Sequence, residues 1–395
     1  MSKLFITADL FLISNNKDQL QAGGMLIEDS TIEWIGPLLN APNVESAEKI
    51  NFPNCTILPG LIDSHVHLSL TGKPDPWEEM VNDTPVIAAI KATESAKKTL
   101  QYGVTYVRDM GSKNGVVIEV GQAIDQNIIH GSQVIATGRC IVMTGGHAYP
   151  IGVEIDGEDK ARRAARLELK KGAKGLKVMA TGGVLTPGVE PGSPQLTIRE
   201  MLAVTEEAHK AGFLVGAHAH GTEGIKNAIK SNCDTIEHCS YLDDDTIELF
   251  LQKGTTMVST LIATELLISK IDDPRIQPYV AKKIKTHAGF ESKSLRKAIK
   301  AGIEIIAGSD SGTAFNPHNQ LIQEIKLLVS HGMTEISAIK AATIKPAKKF
   351  GKSDSIGSLD KGKAADFLVV DGNPLTNIES LEKIHAVFKN GEKNI

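Results

Sequence analysis

The most informative segment of the chain is Leu58-Pro-Gly-Leu-Ile-Asp-Ser-His-Val-His67. An apolar run typical of a buried β-strand leads into two histidines that are separated by one residue. Residues i and i+2 of an extended chain point to the same side, so His65 and His67 present both imidazoles to one place. Two neutral imidazoles on one side of a strand end are a natural pair of metal ligands.

The same arrangement, a short apolar run that ends in a polar side chain, recurs four more times along the chain. Parallel strands of a barrel bring such side chains together, because catalytic groups lie at the C-terminal ends of the strands. Four imidazoles, one carboxylate and one lysine then indicate a site for a pair of divalent metals and a hydrolytic reaction. The four further residues are Lys177, His218, His238 and Asp310.

Between the ends of the chain, buried-type strands alternate with amphipathic helices. Eight such units indicate a (β/α)₈ barrel of the TIM type. An open doubly wound sheet is the alternative, but the sequence lacks its Gly-rich phosphate loop. Thr197 followed by Glu200 predicts a helix capping box. The predicted strands are 56–62, 104–108, 133–137, 175–179, 214–217, 235–237, 255–258 and 304–307, and predicted helices include 158–171, 198–211, 224–232 and 243–252.

The two ends of the chain have a different texture, in which apolar and polar residues alternate between turn residues. This pattern predicts short antiparallel strands. Neither end can bury a face alone, and domain termini often lie close together. We therefore predict one small β-sandwich from residues 1–57 and 354–395, and a catalytic barrel from residues 58–353.

The composition excludes several classes of function. Of the 395 residues 41% are hydrophobic and 23% charged, and the net charge is −4. No basic block is present, which argues against nucleic acid as a partner. No run approaches the roughly 20 apolar residues of a membrane span. The N-terminal residues lack the apolar core of a secretory signal, so we expect a cytoplasmic location. The spacing of the four cysteines fits buried thiols.

The order His-x-His, Lys, His, His, Asp on strands one, four, five, six and eight resembles the amidohydrolase superfamily in its binuclear, carboxylated-lysine form. Three motifs are most similar to the prolidase-like and arginine-carboxypeptidase-like dipeptidases of that superfamily. The resemblance extends over nearly the whole chain. The motifs are Lys177-Val-Met-Ala-Thr-Gly-Gly, Ala217-His-Ala-His-Gly and Asp234-Thr-Ile-Glu-His.

The resemblance implies two divalent metal ions, with zinc as the default. His65, His67 and Asp310 would hold one ion, and His218 and His238 the other. Lys177, carboxylated to a carbamate, would bridge the two. Asp310 would also take a proton from the attacking water and pass it to the leaving nitrogen.

Further residues are predicted to contact a small amide substrate, most simply a dipeptide or an N-acyl amino acid. His147 follows strand three, and His220 lies two residues beyond His218, where it would polarise the carbonyl. Arg108 would bind a carboxylate, with a structural ion pair as its alternative role, and His318 would line the pocket. The predicted apolar wall consists of Leu196, Leu261, Ile262 and Phe315.

Alternative functions stay open at this point. Hydrolysis of a cyclic amide or an imidazolone ring would use the same ligands. A mononuclear deaminase is suggested by His220-Gly-Thr-Glu223, in which the glutamate would move protons. A catalytically silent barrel would serve only for binding. We also expect a homo-oligomer, with the segment around Trp77 as an interface.

Overall fold

The computed structural model describes residues 3–14 and 17–395. The strands are β1 (Lys3–Ser14), β2 (Lys17–Glu28), β3 (Thr31–Pro37), β4 (Glu48–Pro59), β5 (Leu61–Val66), β6 (Val104–Asp109), β7 (Gln133–Ala136), β8 (Cys140–Met143), β9 (Gly152–Ile155), β10 (Leu176–Met179), β11 (Val215–Ala219), β12 (Thr235–His238), β13 (Thr256–Ser259), β14 (Ile305–Ala307), β15 (Phe367–Asp371), β16 (Ile384–Lys389) and β17 (Glu392–Lys393).

The α-helices follow most of the barrel strands. They are α1 (Pro76–Asn82), α2 (Pro85–Gln101), α3 (Val116–Asp125), α4 (Glu158–Lys170), α5 (Ile198–Lys210), α6 (Thr222–Lys230), α7 (Asp244–Lys253), α8 (Leu261–Ser269), α9 (Pro278–His287), α10 (Phe290–Ala301), α11 (Leu321–Ser330), α12 (Glu335–Ala341) and α13 (Ile344–Lys349).

Both ends of the chain join a single seven-stranded sheet, here called the terminal sheet. Its strand order is β17-β16-β15-β4-β1-β2-β3, with β4 in the middle, parallel to β1 and antiparallel to β15. Alternate side chains form its core, in which the rings of Phe367 and Phe388 stack with centroids 4.4 Å apart. The prediction that the two ends of the chain combine is confirmed. The strands expected in the two layers of a sandwich belong to one continuous hydrogen-bonded sheet.

The predicted barrel is confirmed, with β5, β6, β7 and β10 to β14 as its parallel strands. The barrel closes where the Asp310 amide donates to the His65 carbonyl at 2.8 Å. Between β7 and β10, the Lys174 amide donates to the Ala136 carbonyl at 2.8 Å. Closure places the C-terminal ends of all eight strands around one opening. The capping box of Thr197 and Glu200 is also present.

Gly60 is the joint between the two sheets. The predicted strand 56–62 is wrong, because β4 ends at Pro59 in the terminal sheet and β5 begins at Leu61 in the barrel. The Gly60 amide donates to the Asp366 carbonyl of the terminal sheet at 2.9 Å, and the next amide donates to Gly103 at 2.9 Å. A Cβ atom on Gly60 would lie 2.2 Å from Thr105 Oγ1, so only glycine fits this crossing.

The segment after β13 differs from the expected loop. It forms α8 directly and then α9, which pack with the loop after β10 into an apolar cluster beside the barrel opening. Helix α8 has the sequence Leu-Ile-Ala-Thr-Glu-Leu-Leu-Ile-Ser, which is apolar on several faces. It therefore lacks the amphipathic pattern by which a helix is recognised in sequence.

Two further expectations concern the surface and the thiols. The four cysteines are buried and free, as predicted. Trp77 lies in α1 and meets the Tyr149 ring edge-on at 5.5 Å. The homo-oligomer stays a prediction. Within residues 3–14 and 17–395, none of the helices combines the length and the apolar character needed to cross a membrane.

Replacing Gly60 by alanine tests the joint. The new Cβ would meet both the Oγ1 and Cγ2 atoms of Thr105, which is buried, and we expect the free energy of unfolding to fall by roughly 1–3 kcal/mol. Thr105→Ala in the same chain removes these atoms and should recover part of the loss in denaturant titrations. Strictly additive effects of the two substitutions would contradict a steric origin.

Candidate metal centre

Eight predicted side chains converge on one cavity at the C-terminal ends of the barrel strands. The cavity holds about 770 Å³ of space between atoms, part of it open to solvent. The strands deliver the side chains at their ends, as a barrel requires. The eight residues are His65, His67, His147, Lys177, His218, His220, His238 and Asp310.

One group of potential ligands consists of His65, His67 and Asp310. The Asp310 Oδ1 atom lies 3.4 Å from His65 Nε2 and 3.5 Å from His67 Nε2. A ligand atom from each residue lies within 4.8 Å of the others. This is the set that the sequence assigns to one metal, and the spacing suits three donors around one cation.

A second group consists of His218, His220 and His238, whose ligand atoms also lie within 4.8 Å of one another. The His238 ring centre lies 4.7 Å from that of His218 and 5.1 Å from that of His65. The two groups are therefore neighbours. His218 and His238, the residues predicted to hold the second metal, are therefore close together, and His220 lies beside them.

Hydrogen bonds fix which ring nitrogen of His65 and His67 faces the cavity. His65 Nδ1 donates to the Glu237 carboxylate at 2.8 Å, and His67 Nδ1 donates to the Gly111 carbonyl at 3.0 Å. Each bond occupies Nδ1 and leaves the Nε2 lone pair free. Partners of this kind orient metal-binding histidines and set their tautomers.

His238 is oriented by a chain of three side chains. The Thr260 hydroxyl lies 2.7 Å from His238 Nδ1 and donates to Glu291 at 3.4 Å, so it accepts the imidazole hydrogen. Glu291 also accepts from Thr264 at 2.6 Å. His218 differs, since its Nε2 lies 3.3 Å from the Gly182 carbonyl and its Nδ1 is left as the free donor atom.

Lys177 is 1% exposed. Among the residues that the structure describes, no hydrogen bond or ion pair to its side chain is recorded. Desolvation lowers the pKa of its ammonium group, although neighbouring acids oppose the shift. Burial of this kind shifts the equilibrium of a lysine toward its neutral amine.

The electrostatics of the cavity favour cations other than protons. Burial lowers the pKa of His67 to about 4 and of His220 to about 3. Burial also holds the pKa values of His65, His218 and His238 well below their usual range, and neighbouring positive charges add to this. The imidazoles are therefore neutral, with lone pairs available, which is the form that binds a metal. This donor set fits a pair of divalent cations.

The backbone is strained at two of the potential ligands. His238 has φ of 72° and Asp310 has φ of 52°, both in the left-handed region. Such conformations cost free energy and occur where the surroundings impose them, often at functional sites. At His238 the turn away from extended geometry lets Glu237 and His238, which are consecutive, both reach His65.

His147 and His220 stand on the side of the second group. The Thr186 hydroxyl accepts from the Ala148 amide at 3.0 Å and lies 2.9 Å from His147 Nδ1. If the hydroxyl hydrogen is given to Nδ1, His147 presents Nε2–H to the cavity as a donor. His220 Nδ1 lies 2.7 Å from the Ser240 hydroxyl, and its other nitrogen is left for the cavity.

Two predicted substrate residues lie elsewhere. Arg108 does not line the cavity. Its buried guanidinium donates to the Glu237 carboxylate at 2.9 and 3.0 Å and to the Ser64 carbonyl at 2.7 Å. The structural ion pair, the alternative role, is the one found. His318 is also outside the cavity: its Nε2 donates to the Leu70 carbonyl at 2.7 Å, and the residue borders a separate small pocket.

The apolar wall also differs from the prediction. Leu196 and Leu261 are packed in the main core, and Phe315 lies against Arg275. Glu223, the proton carrier of the deaminase hypothesis, is exposed at the start of α6 and does not line the cavity. The apolar residues that do line the cavity include Leu70, Met80, Ile151, Met179, Val184, Leu185 and Leu267.

The residues that support the potential ligands were not predicted from the sequence. Glu237 precedes His238 in Thr-Ile-Glu-His, so its position within a buried strand was the available signal. Glu291 lies 31 residues from Thr260, and nothing in the local pattern connects it with the site. Burial raises the pKa of Glu291 to about 7.

Comparison with known proteins agrees with this geometry. The Amidohydrolase family model matches residues 56–393. Ochratoxinase from Aspergillus niger is 29% identical over 411 aligned residues, covering 95% of this chain and 83% of that protein. The crystal structure of a Xaa-Pro dipeptidase with bound methionine superposes with a TM-score of 0.92 at 31% identity, covering 99% of both chains.

The crystal structure of the A. niger ochratoxinase superposes with a TM-score of 0.88 at 28% identity, and covers 99% of this chain and 95% of that one. The similarity therefore includes the terminal sheet as well as the barrel. Because the family model matches far more than half of the sequence, the chain belongs to the amidohydrolase family and is a hydrolytic enzyme.

Proposed function

We propose that the chain hydrolyses the C–N amide bond of a small substrate, a dipeptide or an N-acyl amino acid, with the help of two divalent cations. One observation carries the proposal: two groups of potential metal ligands line the same cavity as a buried lysine that has no hydrogen bond or ion pair within residues 3–14 and 17–395. The similarity to a Xaa-Pro dipeptidase and to an ochratoxinase supports amide chemistry.

Zinc is the cation we propose, since nitrogen donors and carboxylates suit it. His65, His67 and Asp310 would hold one ion, and His218 and His238 the other. Lys177, as a carbamate, would supply the oxygen ligands between them, which explains an otherwise costly buried amine. When bound, a pair of such cations lowers the pKa of water and polarises a carbonyl group.

Asp310 is the residue we propose for proton transfer. Its carboxylate follows the C-terminal end of β14 and lies beside His65 and His67. Burial raises the pKa of this carboxylate well above the usual range. A raised pKa brings a carboxylate nearer to the range in which it can both accept and return a proton. The proton would come from the attacking water and leave on the amine product.

The cavity wall supports an apolar substrate side chain. Leu70, Met80, Met179 and Leu267 border the space beyond the ligands. A methionine is bound in the active site of the similar Xaa-Pro dipeptidase, which is consistent with this character. His147 and His220 are the polar residues that we propose for the substrate carbonyl or carboxylate.

The experiment that tests this function is a turnover screen of metal-reconstituted protein. Dipeptides with an apolar first residue and N-acyl amino acids should be hydrolysed, and treatment with a chelator should abolish turnover. Turnover of imidazolone or cyclic-amide substrates, with none of linear amides, would contradict the proposal.

Lys177→Ala should lose metal and activity together, because the variant lacks the amine on which the proposed carbamate forms. Metal content by mass spectrometry and turnover are measured on the same sample. Adding a short carboxylic acid should restore part of both. The control is Lys170→Ala on the exposed face of α4, which should behave as wild type. An unmodified ammonium at Lys177 in a metal-loaded crystal would refute the carbamate.

Asp310→Asn should keep most of the metal, since the amide oxygen still donates, yet lower kcat by roughly 100- to 10,000-fold through loss of the proton acceptor. The exposed Asp272→Asn variant serves as the matched control. An Asp310→Asn enzyme with wild-type kcat would show that another group moves the proton.

A free carboxylate on the leaving side should matter. With His147 and His220 as donors, converting the C-terminal carboxylate of a good dipeptide substrate to its amide should lower kcat/KM by about tenfold or more, the scale of one lost charge-assisted contact. His147→Phe should reduce the difference in kcat/KM between the free acid and its amide. Equal kcat/KM values for acid and amide would rule out carboxylate recognition.

A further inference from the structure

A second cluster of ligand-type side chains lies on the terminal sheet, outside the cavity. It consists of Cys55 on β4, Asp371 at the end of β15 and His385 on β16. The ligand atoms of the three residues lie within 4.8 Å of one another. The three strands come from opposite ends of the chain, and Cys55 and Asp371 are separated by 316 residues.

The backbone places these side chains together in a specific way. Cys55 and Asp371 are direct partners in the antiparallel pairing of β4 with β15. Between β15 and β16, Val369 pairs with Ala386 and Val370 with Ile384, so His385 is the extra residue of a β-bulge. Bulges redirect a side chain, and here the bulge turns the imidazole toward Asp371. The Phe52 ring meets the imidazole edge-on at 5.5 Å and holds it there.

Two separations between potential ligand atoms, both of them hydrogen bonds to Asp371, are compatible with a tetrahedral zinc site. Asp371 Oδ1 lies 3.5 Å from Cys55 Sγ and 3.1 Å from His385 Nδ1. Zinc bonds of about 2.3 Å to sulfur and about 2.0 Å to oxygen and nitrogen at tetrahedral angles put sulfur and oxygen about 3.5 Å apart, and oxygen and nitrogen about 3.3 Å apart. Both pairs that include Asp371 are thus near the separations that zinc requires, and Cys55 and His385 lie within 4.8 Å of each other.

The surroundings allow an ion to enter. Cys55 is 3% exposed, whereas the side chains of Asp371 and His385 are 57% and 46% exposed, so the cluster opens to solvent on one side. Asp9 adds a second carboxylate nearby, where it accepts from the Asn54 amide at 3.1 Å.

We propose that Cys55, Asp371 and His385 form a zinc site that joins the two ends of the chain, separate from the catalytic cavity. On binding, the thiol gives its proton to solvent and the thiolate becomes the third ligand. The chemistry selects a borderline or soft divalent cation, because thiolate and imidazole disfavour magnesium and calcium. The bound ion stabilises the folded chain, since the site requires both ends to be paired.

Cobalt as a probe tests the site. The full-length protein is stripped with a chelator and reloaded with Co²⁺ alone, and a thiolate-to-cobalt charge-transfer band in the near ultraviolet is sought. The wild type should show the band. Cys55→Ser and the exposed His385→Ala variant should each lose it and bind about one equivalent less cobalt, with turnover preserved. Cys233→Ser, which removes a buried barrel thiol, should keep it.

Wild-type protein without the band, or a Cys55→Ser variant that keeps it, would overturn the proposal. Equal cobalt content in wild type and His385→Ala would overturn it as well. The comparison is a difference between variants, so it stays valid if the cavity binds fewer than two ions. Failure of the catalytic proposal and failure of this site are therefore distinguishable.

Discussion

The ion pair between Glu237 and Arg108 is the interaction on which the rest of the site depends. Glu237 is fully buried, accepts two bonds from the guanidinium, one from Thr235 at 2.6 Å, and the Nδ1 hydrogen of His65. A buried pair of this kind contributes little net stability, but removal of one partner leaves an uncompensated charge. The Glu237 carboxylate therefore neutralises the buried Arg108 guanidinium and also orients the His65 imidazole. A substitution of Glu237 would affect both the stability of the barrel and the geometry of the site.

Around this pair, the side chains of the site form two layers, the imidazoles that face the cavity and the hydrogen-bond acceptors behind them. The outer layer presents neutral lone pairs, and the inner layer of Glu237, Glu291 and backbone carbonyls supplies hydrogen-bond acceptors behind them. Acceptors behind an imidazole increase its basicity toward a metal and fix its direction. Two buried cations of the protein lie close to these imidazoles: Arg108, which is paired with Glu237, and Lys177, whose charged form is disfavoured by burial.

The sequence was sufficient to predict that the six potential ligands would meet in one cavity, because each lies within or just beyond a recognisable buried strand. It was sufficient for the barrel for the same reason. It was not sufficient for Arg108, whose position beside a strand end looks the same whether the side chain points to the cavity or to Glu237. The support of His238 by Glu291 and the helix α8 were not predicted, because both depend on packing between segments that are distant in sequence. The crossing at Gly60 was missed because apolar residues stand on both sides of Pro59-Gly60, so that the sequence predicts one strand where the structure has two.

The position of β4 at the middle of the terminal sheet has a consequence for biosynthesis. Its pairing partner β1 is translated before it, but β15 is translated more than 300 residues after Cys55. During elongation on the ribosome one edge of β4 therefore lacks its native neighbour while the barrel is still emerging. Exposed strand edges are the places where nascent chains pair wrongly. The pairing of β15 with β4 is thus a late step of folding, and products truncated before β15 would leave that edge of β4 unpaired.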